Sequence, residues 1–136
     1  MKTLVVALAA LIGLAIAVVL AHLAFIEIGR EVVTVRTPLP DGGWKATRLW
    51  VVDDEGAAWL HSAGDAWIAR FAGDPIVELE RHGETHRYRA HAVPGPHARI
   101  DQLLREKYGI ADRWVRLIAP CNERTVPVRL ERIEER

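Results

Sequence analysis

Four histidines, His82, His86, His91 and His97, fall within sixteen residues, and that density is where metal chemistry would be sought first. The local pattern argues against it. Around them the chain alternates as strands do, so His86 and His91, an odd number apart, face opposite sides. His82 and His86 flank a turn, and no cysteine or paired carboxylate beside them completes a tetrahedral or octahedral set. These are expected to be surface histidines, and no metal site is expected. Nucleophilic chemistry has as little support. His61 and Ser62 are adjacent on an extended run and point apart, so His61 is not placed to activate Ser62. No G-x-S-x-G elbow or glycine-rich phosphate loop is present. The single cysteine, Cys121 between Pro120 and Asn122, reads as a free thiol without an activating base.

The tryptophans leave two readings open. Trp50 and Trp59 lie on neighbouring extended runs, and Trp67 opens the helix that follows. Large aromatics fill cores. The same residues also suit a planar cofactor lying on those strands, with Arg48 and Ser62 as polar contacts for its phosphate-bearing tail.

The elements that must position these residues follow from periodicity. Glu31–Thr37 is β-branched and ends at Pro38, and Pro40-Asp41-Gly42-Gly43 turns the chain into a second strand, Lys45–Val52. Asp53-Asp54-Glu55-Gly56 leads to a third strand, Ala57–Ser62. A short helix capped by Asp65 carries Trp67, Ile68 and Phe71 and stops at Gly73. Ile76–Arg81 and His86–Val93 form a hairpin, with Tyr88, Ala90 and Ala92 inward. After Pro94-Gly95-Pro96, Ile100, Leu103, Leu104 and Tyr108 recur at helical spacing. Ala111–Ala119 follows as another helix, with Trp114, Leu117 and Ile118 toward the core. The last strand, Thr125–Ile133, contains Pro127, which cannot donate to a ladder and marks an edge or a bulge. Strands dominate, and the expected class is mainly β (α+β): a six-stranded antiparallel barrel with two or three flanking helices.

Composition is uneven. The 136 residues balance 18 Lys+Arg against 18 Asp+Glu, which removes the continuous positive surface that nucleic acid requires, so no nucleic-acid partner is expected. Thr3–Ile26 holds no formally charged residue. As a helix this run spans about 36 Å, enough for a hydrocarbon core of ~30 Å. A cleaved signal peptide has a shorter apolar core, although Val19-Leu20-Ala21 offers a cleavage site. The length favours an uncleaved single-pass anchor over residues 1–28, with the folded domain at 29–136. Lys2 favours a cytoplasmic N-terminus while Arg30 and Arg36 pull the other way, so the side of the membrane stays open.

The run from Thr47 through Trp50, Asp53-Asp54-Glu55-Gly56 and Trp59 to His61-Ser62 resembles the second and third strands of the pyridoxamine 5′-phosphate oxidase-like split-barrel family. Ala72-Gly73-Asp74-Pro75 before Ile76–Leu79, and Tyr88-Arg89-Ala90 before Val93-Pro94-Gly95, are similar to later segments of that family. Its nearest branch is the deazaflavin-dependent nitroreductases. The resemblance implies a homodimer holding FMN, deazaflavin or sometimes haem at the subunit interface, in proteins that transfer a hydride or bind the cofactor without turnover; a membrane-anchored reductase of quinones or nitro compounds is the activity expected. It places Arg48 and Ser62 at the phosphate end, Lys45 as an outer contact, and Trp50 and His61 near the ring. Asp53 stands where FMN-binding members often have a Lys, and Ala63-Gly64-Asp65 replaces their Arg-Lys pair. A non-catalytic, membrane-tethered module binding a small ligand or a protein is the alternative.

Overall fold

The computed structural model describes residues 1–63, 65–70, 72–122 and 124–134, without the side chains of residues 62, 63, 65 and 66. The Ser62 side chain and Phe71, both singled out above, lie outside the described residues.

The chain divides into two units, Met1–Arg30 and Glu31–Arg136. The first is helix α1 (Lys2–Glu27), long and apolar enough to cross a membrane. Its C-terminal end is closed by the Ile28 N–H, which donates to the Ala24 carbonyl at 2.9 Å, and by Arg30, whose guanidinium lies over the Phe25 ring.

In the second unit, strands β1 (Val32–Pro38), β2 (Trp44–Asp54), β3 (Ala57–Ala63), β4 (Ile76–Arg81), β5 (Glu84–Ala92) and β6 (Thr125–Arg132) close into an antiparallel barrel in the order β1-β2-β3-β6-β5-β4. Helix α2 (Asp65–Ala69) follows β3, and α3 (Ala98–Tyr108) and α4 (Ile110–Ile118) connect β5 to β6. Two hairpins turn on residue pairs with positive φ: Glu55-Gly56 between β2 and β3, and His82-Gly83 between β4 and β5. Such pairs match the strand twist, and the glycine at the second position adopts positive φ without a Cβ penalty.

Alternation along the strands fills the barrel. Val33, Val35, Val51, Leu60, Val77, Leu79, Val128 and Leu130 are each at most 1% exposed, and each contributes roughly 1.5–3 kcal/mol by burial. Trp67 on α2 packs into the same core. A second, smaller core forms outside the barrel, where Ile100, Leu104 and Tyr108 of α3 cover Val52, with Trp50 and Trp59 against them.

The structure departs from three sequence expectations. Pro127 marks neither an edge nor a bulge: β6 pairs with both β3 and β5 in a closed barrel, and its register with β3 runs unbroken through Pro127. Its missing N–H is tolerated because the β5 ladder stops at Ala92, and the Pro127 carbonyl still accepts from Val93 N–H at 2.9 Å. Trp114, Leu117 and Ile118 are 43%, 74% and 54% exposed rather than in the core. The small Ala111 and the charged Asp112 are the buried residues of α4, since α4 turns inward its ion-pairing face and leaves the apolar stripe outside. Ala92 keeps the inward alternation but is exposed, being the last paired residue of β5.

Candidate functional site

The outer face of β2 and β3 is the surface on which the sequence candidates converge. The pairing of Val51 with Leu60 and Val52 with Trp59 places Trp50 across from His61. Arg48 shares the outward alternation with Trp50 and Val52 and is exposed. Lys45 has the opposite parity, at the exposed beginning of β2 across from Thr37. The fold therefore brings Arg48, Trp50 and His61 to one face and places Lys45 on the other.

Tyr108 covers Trp50. Their rings stack with centroids 4.3 Å apart. The Tyr108 hydroxyl, pushed up to about 12 by burial, accepts from Val51 N–H at 3.0 Å and donates to the Glu31 carbonyl at 2.7 Å. It thus satisfies β2 backbone just beyond the point where β1 pairing ends at Trp50.

Behind Trp50 lies a polar cluster that no single stretch of sequence announces. β3 supplies His61, α3 supplies Asp101 beside His97, α4 supplies Asp112 and Arg116, and the connection to β6 supplies Cys121. Asp101 accepts from Arg116 at 3.1 Å and bonds His97 Nδ1 at 2.9 Å. Arg116 also donates to Asp112 at 2.7 Å and to Cys121 Sγ at 3.0 Å. His61 Nε2 stands 3.5 Å from an Asp101 oxygen, out of line for a hydrogen bond, and is buried with no partner. The Cys121 connection is held by Asn122 N–H donating to Thr125 Oγ1 at 3.0 Å.

Burial sets the protonation states. It lowers His61 to about 4, against the opposing pull of Asp101, so the imidazole is neutral at physiological pH. Burial raises the Cys121 thiol although Arg116 opposes it. Burial would raise Asp101, but the hydrogen bond and charge of Arg116 more than offset this and hold its carboxyl low.

Sequence reasoning placed His97 with the surface histidines and found no partner for Cys121. The structure instead holds the His97 side chain 18% exposed against Asp101. The i,i+4 spacings of His97–Asp101 and Asp112–Arg116 were the available signal.

Two cavities meet at this cluster. An inner one of about 100 Å³ is lined by Trp50, His61, Leu104, Arg116, Cys121 and Thr125, among others. An outer pocket of about 490 Å³ is lined by Gly95, His97, Asp101, Cys121, Asn122 and Thr125. Cofactor-sized ligands occupy pockets of roughly 300–1,000 Å³, so only the outer one has the size. At the strand end, Asp53 is bound by two Arg81 nitrogens at 2.7 and 2.8 Å. Its charge is compensated, but it offers no cation to a phosphate.

No family model matches the sequence, and no curated protein matches it. Solved structures do. A conserved hypothetical protein of Mycobacterium tuberculosis, Rv2991, superposes with a TM-score of 0.59 at 22% identity, covering 84% of this chain and 80% of its own. An F420-H2 dependent reductase superposes with a TM-score of 0.57 at 14% identity, over 74% of this chain and 93% of its own. The fold is a six-stranded split barrel of the kind found in pyridoxamine 5′-phosphate oxidase-like structures. The haem storage protein HutZ of Vibrio cholerae shares this split barrel with a TM-score of 0.55 at 15% identity, over 82% of this chain and 87% of its own.

Proposed function

We propose that the protein is a split-barrel oxidoreductase that binds a flavin or deazaflavin, tethered to a membrane by residues 1–28 and acting through residues 29–136. The observation that carries this reading is the convergence of exposed Arg48 with the part-buried Trp50 and the largely buried His61 on the outer β2–β3 face, in a fold shared with an F420-H2 dependent reductase. The residues fit the cofactor's anionic tail through one cation, Arg48. Those present do not reproduce an FMN clamp, because Asp53 is committed to Arg81. That difference favours a flavin or deazaflavin held mainly by its ring.

The bound cofactor supplies the hydride chemistry. Arg48 neutralises and orients the tail. Trp50, backed by Tyr108, gives a rigid apolar wall that excludes water. His61 stays neutral and adds a polar edge without a competing charge. A second copy of the chain completes the site, covering the exposed stripe of Ile110, Trp114, Leu117 and Ile118 on α4. Lys45 serves at most as an outer contact from the opposite face, and Ser62 as a second contact to the tail.

An absorption spectrum of the detergent-extracted full chain tests the proposal. A flavin or deazaflavin band retained through purification supports it, and a haem Soret band overturns the choice of cofactor. A colourless chain that also takes up none of these groups supports a non-catalytic tethered module, which the incomplete clamp favours. An alkaline-phosphatase fusion at the C-terminus locates the domain, and an active fusion weakens the reductase reading because reduced nicotinamide and deazaflavin are scarce outside the cytoplasm.

A further inference from the structure

A ring nitrogen of His61, an Asp101 carboxylate oxygen and Cys121 Sγ all lie within 4.8 Å of one another. They arrive from β3, α3 and the connection before β6, three elements with no local sequence relation. The His61 side chain is only 10% exposed, yet its inward nitrogen has no hydrogen-bond partner. A buried ring nitrogen left unpaired costs free energy, and here a carboxylate and a sulfur lie beside it. We propose that His61, Asp101 and Cys121 form a binding site for one borderline-soft divalent metal ion, of the Zn²⁺ class, with its fourth position open.

The donor set selects that class. One nitrogen, one oxygen and one sulfur suit zinc, whereas calcium and magnesium take oxygen alone. Bond lengths of about 2.0–2.3 Å give tetrahedral edges of roughly 3.3–3.8 Å. The His61–Asp101 separation of 3.5 Å already has that length, and the sulfur needs to close by about an ångström from the 4.8 Å limit. Cys121 and Thr125 line both cavities beside the three ligands, which leaves room for a fourth ligand to reach the ion.

Arg116 is the feature that opposes a cation, and its contacts answer the objection. It is paired with Asp112, whose side chain is 4% exposed, at 2.7 Å, so its charge is balanced without the ligands. Metal entry displaces the Cys121 thiol proton to solvent. The thiolate, Asp101, Asp112 and Arg116 then sum to −2, which a divalent ion neutralises. Arg116 stays as a donor to the bound sulfur, and His97 holds the second Asp101 oxygen at 2.9 Å, as outer partners orient metal ligands elsewhere. A metal on His61 Nε2 leaves the cofactor only the other ring nitrogen, and titration with metal alone reads the site with no cofactor present.

The test is titration of the chelator-treated full chain in detergent with Co²⁺, followed by competition with Zn²⁺. The expected result is one equivalent bound per chain with a thiolate-to-cobalt charge-transfer band, displaced by zinc. Cys121→Ser should abolish the band, and Asp101→Asn should weaken zinc binding by more than about 100-fold, beyond the loss typical of an outer-partner change. His86→Ala, on the exposed hairpin, should leave both unchanged. Because Cys121 sits in a connection, its variant should retain the wild-type circular dichroism. Absence of the band in the wild type, or its survival in Cys121→Ser, overturns the site. Loss of binding in His86→Ala shows adventitious binding by surface histidines and also overturns it.

Discussion

Tyr108 lies flat on Trp50, the ring planes 5° from parallel, and its hydroxyl is wedged between β1 and β2. The contact joins α3 to the barrel and occupies one face of the indole. Tyr108→Phe keeps the stack and strips the Val51 N–H and Glu31 carbonyl of their shared partner. Leaving those buried groups unpaired should cost about 1–3 kcal/mol, read as a lower midpoint in urea with an unchanged slope. A midpoint equal to wild type would show that water replaces the hydroxyl.

Glu31 ties the same corner together. Burial alone would raise its carboxyl, but hydrogen bonds and charge from Arg81 and Lys107 more than offset this and hold it at about 2, below its ordinary 4.5. Asp53 is lowered by its hydrogen bond to Arg81. Depressed folded-state values mean that the stabilisation is full above about 4.5 and is lost as pH falls toward 2. Thermal midpoints should therefore fall across that interval in wild type. In Arg81→Met they should be lower at neutral pH and fall less steeply. Parallel curves for the two proteins would remove Arg81 from the explanation.

The apolar stripe on α4 predicts an oligomer. Leu117, 74% exposed, touches little within its own chain, so Leu117→Glu should leave the folded signal intact and shift sedimentation in detergent from dimer to monomer. A dimer that persists in the variant would place the subunit contact elsewhere.

Arg48 is exposed on the outer β2–β3 face proposed to hold the cofactor. Arg48→Ala should weaken flavin or deazaflavin binding roughly ten- to a hundredfold, the worth of one charge-assisted contact. Binding should fall more than stability does, since Arg48 is exposed. Equal losses of stability and binding would make Arg48 structural.

Periodicity made the barrel legible. Val77 and Leu79 against Glu78 and Glu80, and Asp54–Ala57 around a Glu55-Gly56 turn, specify strands and hairpins through local sterics. Pro127 misled because closure of a barrel is a long-range property, and a proline tells only that one N–H is missing. Trp114, Leu117 and Ile118 misled because an amphipathic helix does not say which face its own chain buries; the ion-pairing face won through Asp112 and Arg116. The outer β2–β3 face was readable from Arg48, Trp50 and His61. The cluster behind it was not, since His61, Asp101 and Cys121 meet only after β3, α3 and the last connection have packed.

The most direct test of the redox-cofactor reading is equilibrium titration of the full chain in detergent with FMN and with deazaflavin, followed by quenching of Trp50 and cofactor fluorescence. The account predicts saturable micromolar binding of one of them, weakened in Arg48→Ala. Failure of both to bind, with the barrel folded, would contradict it.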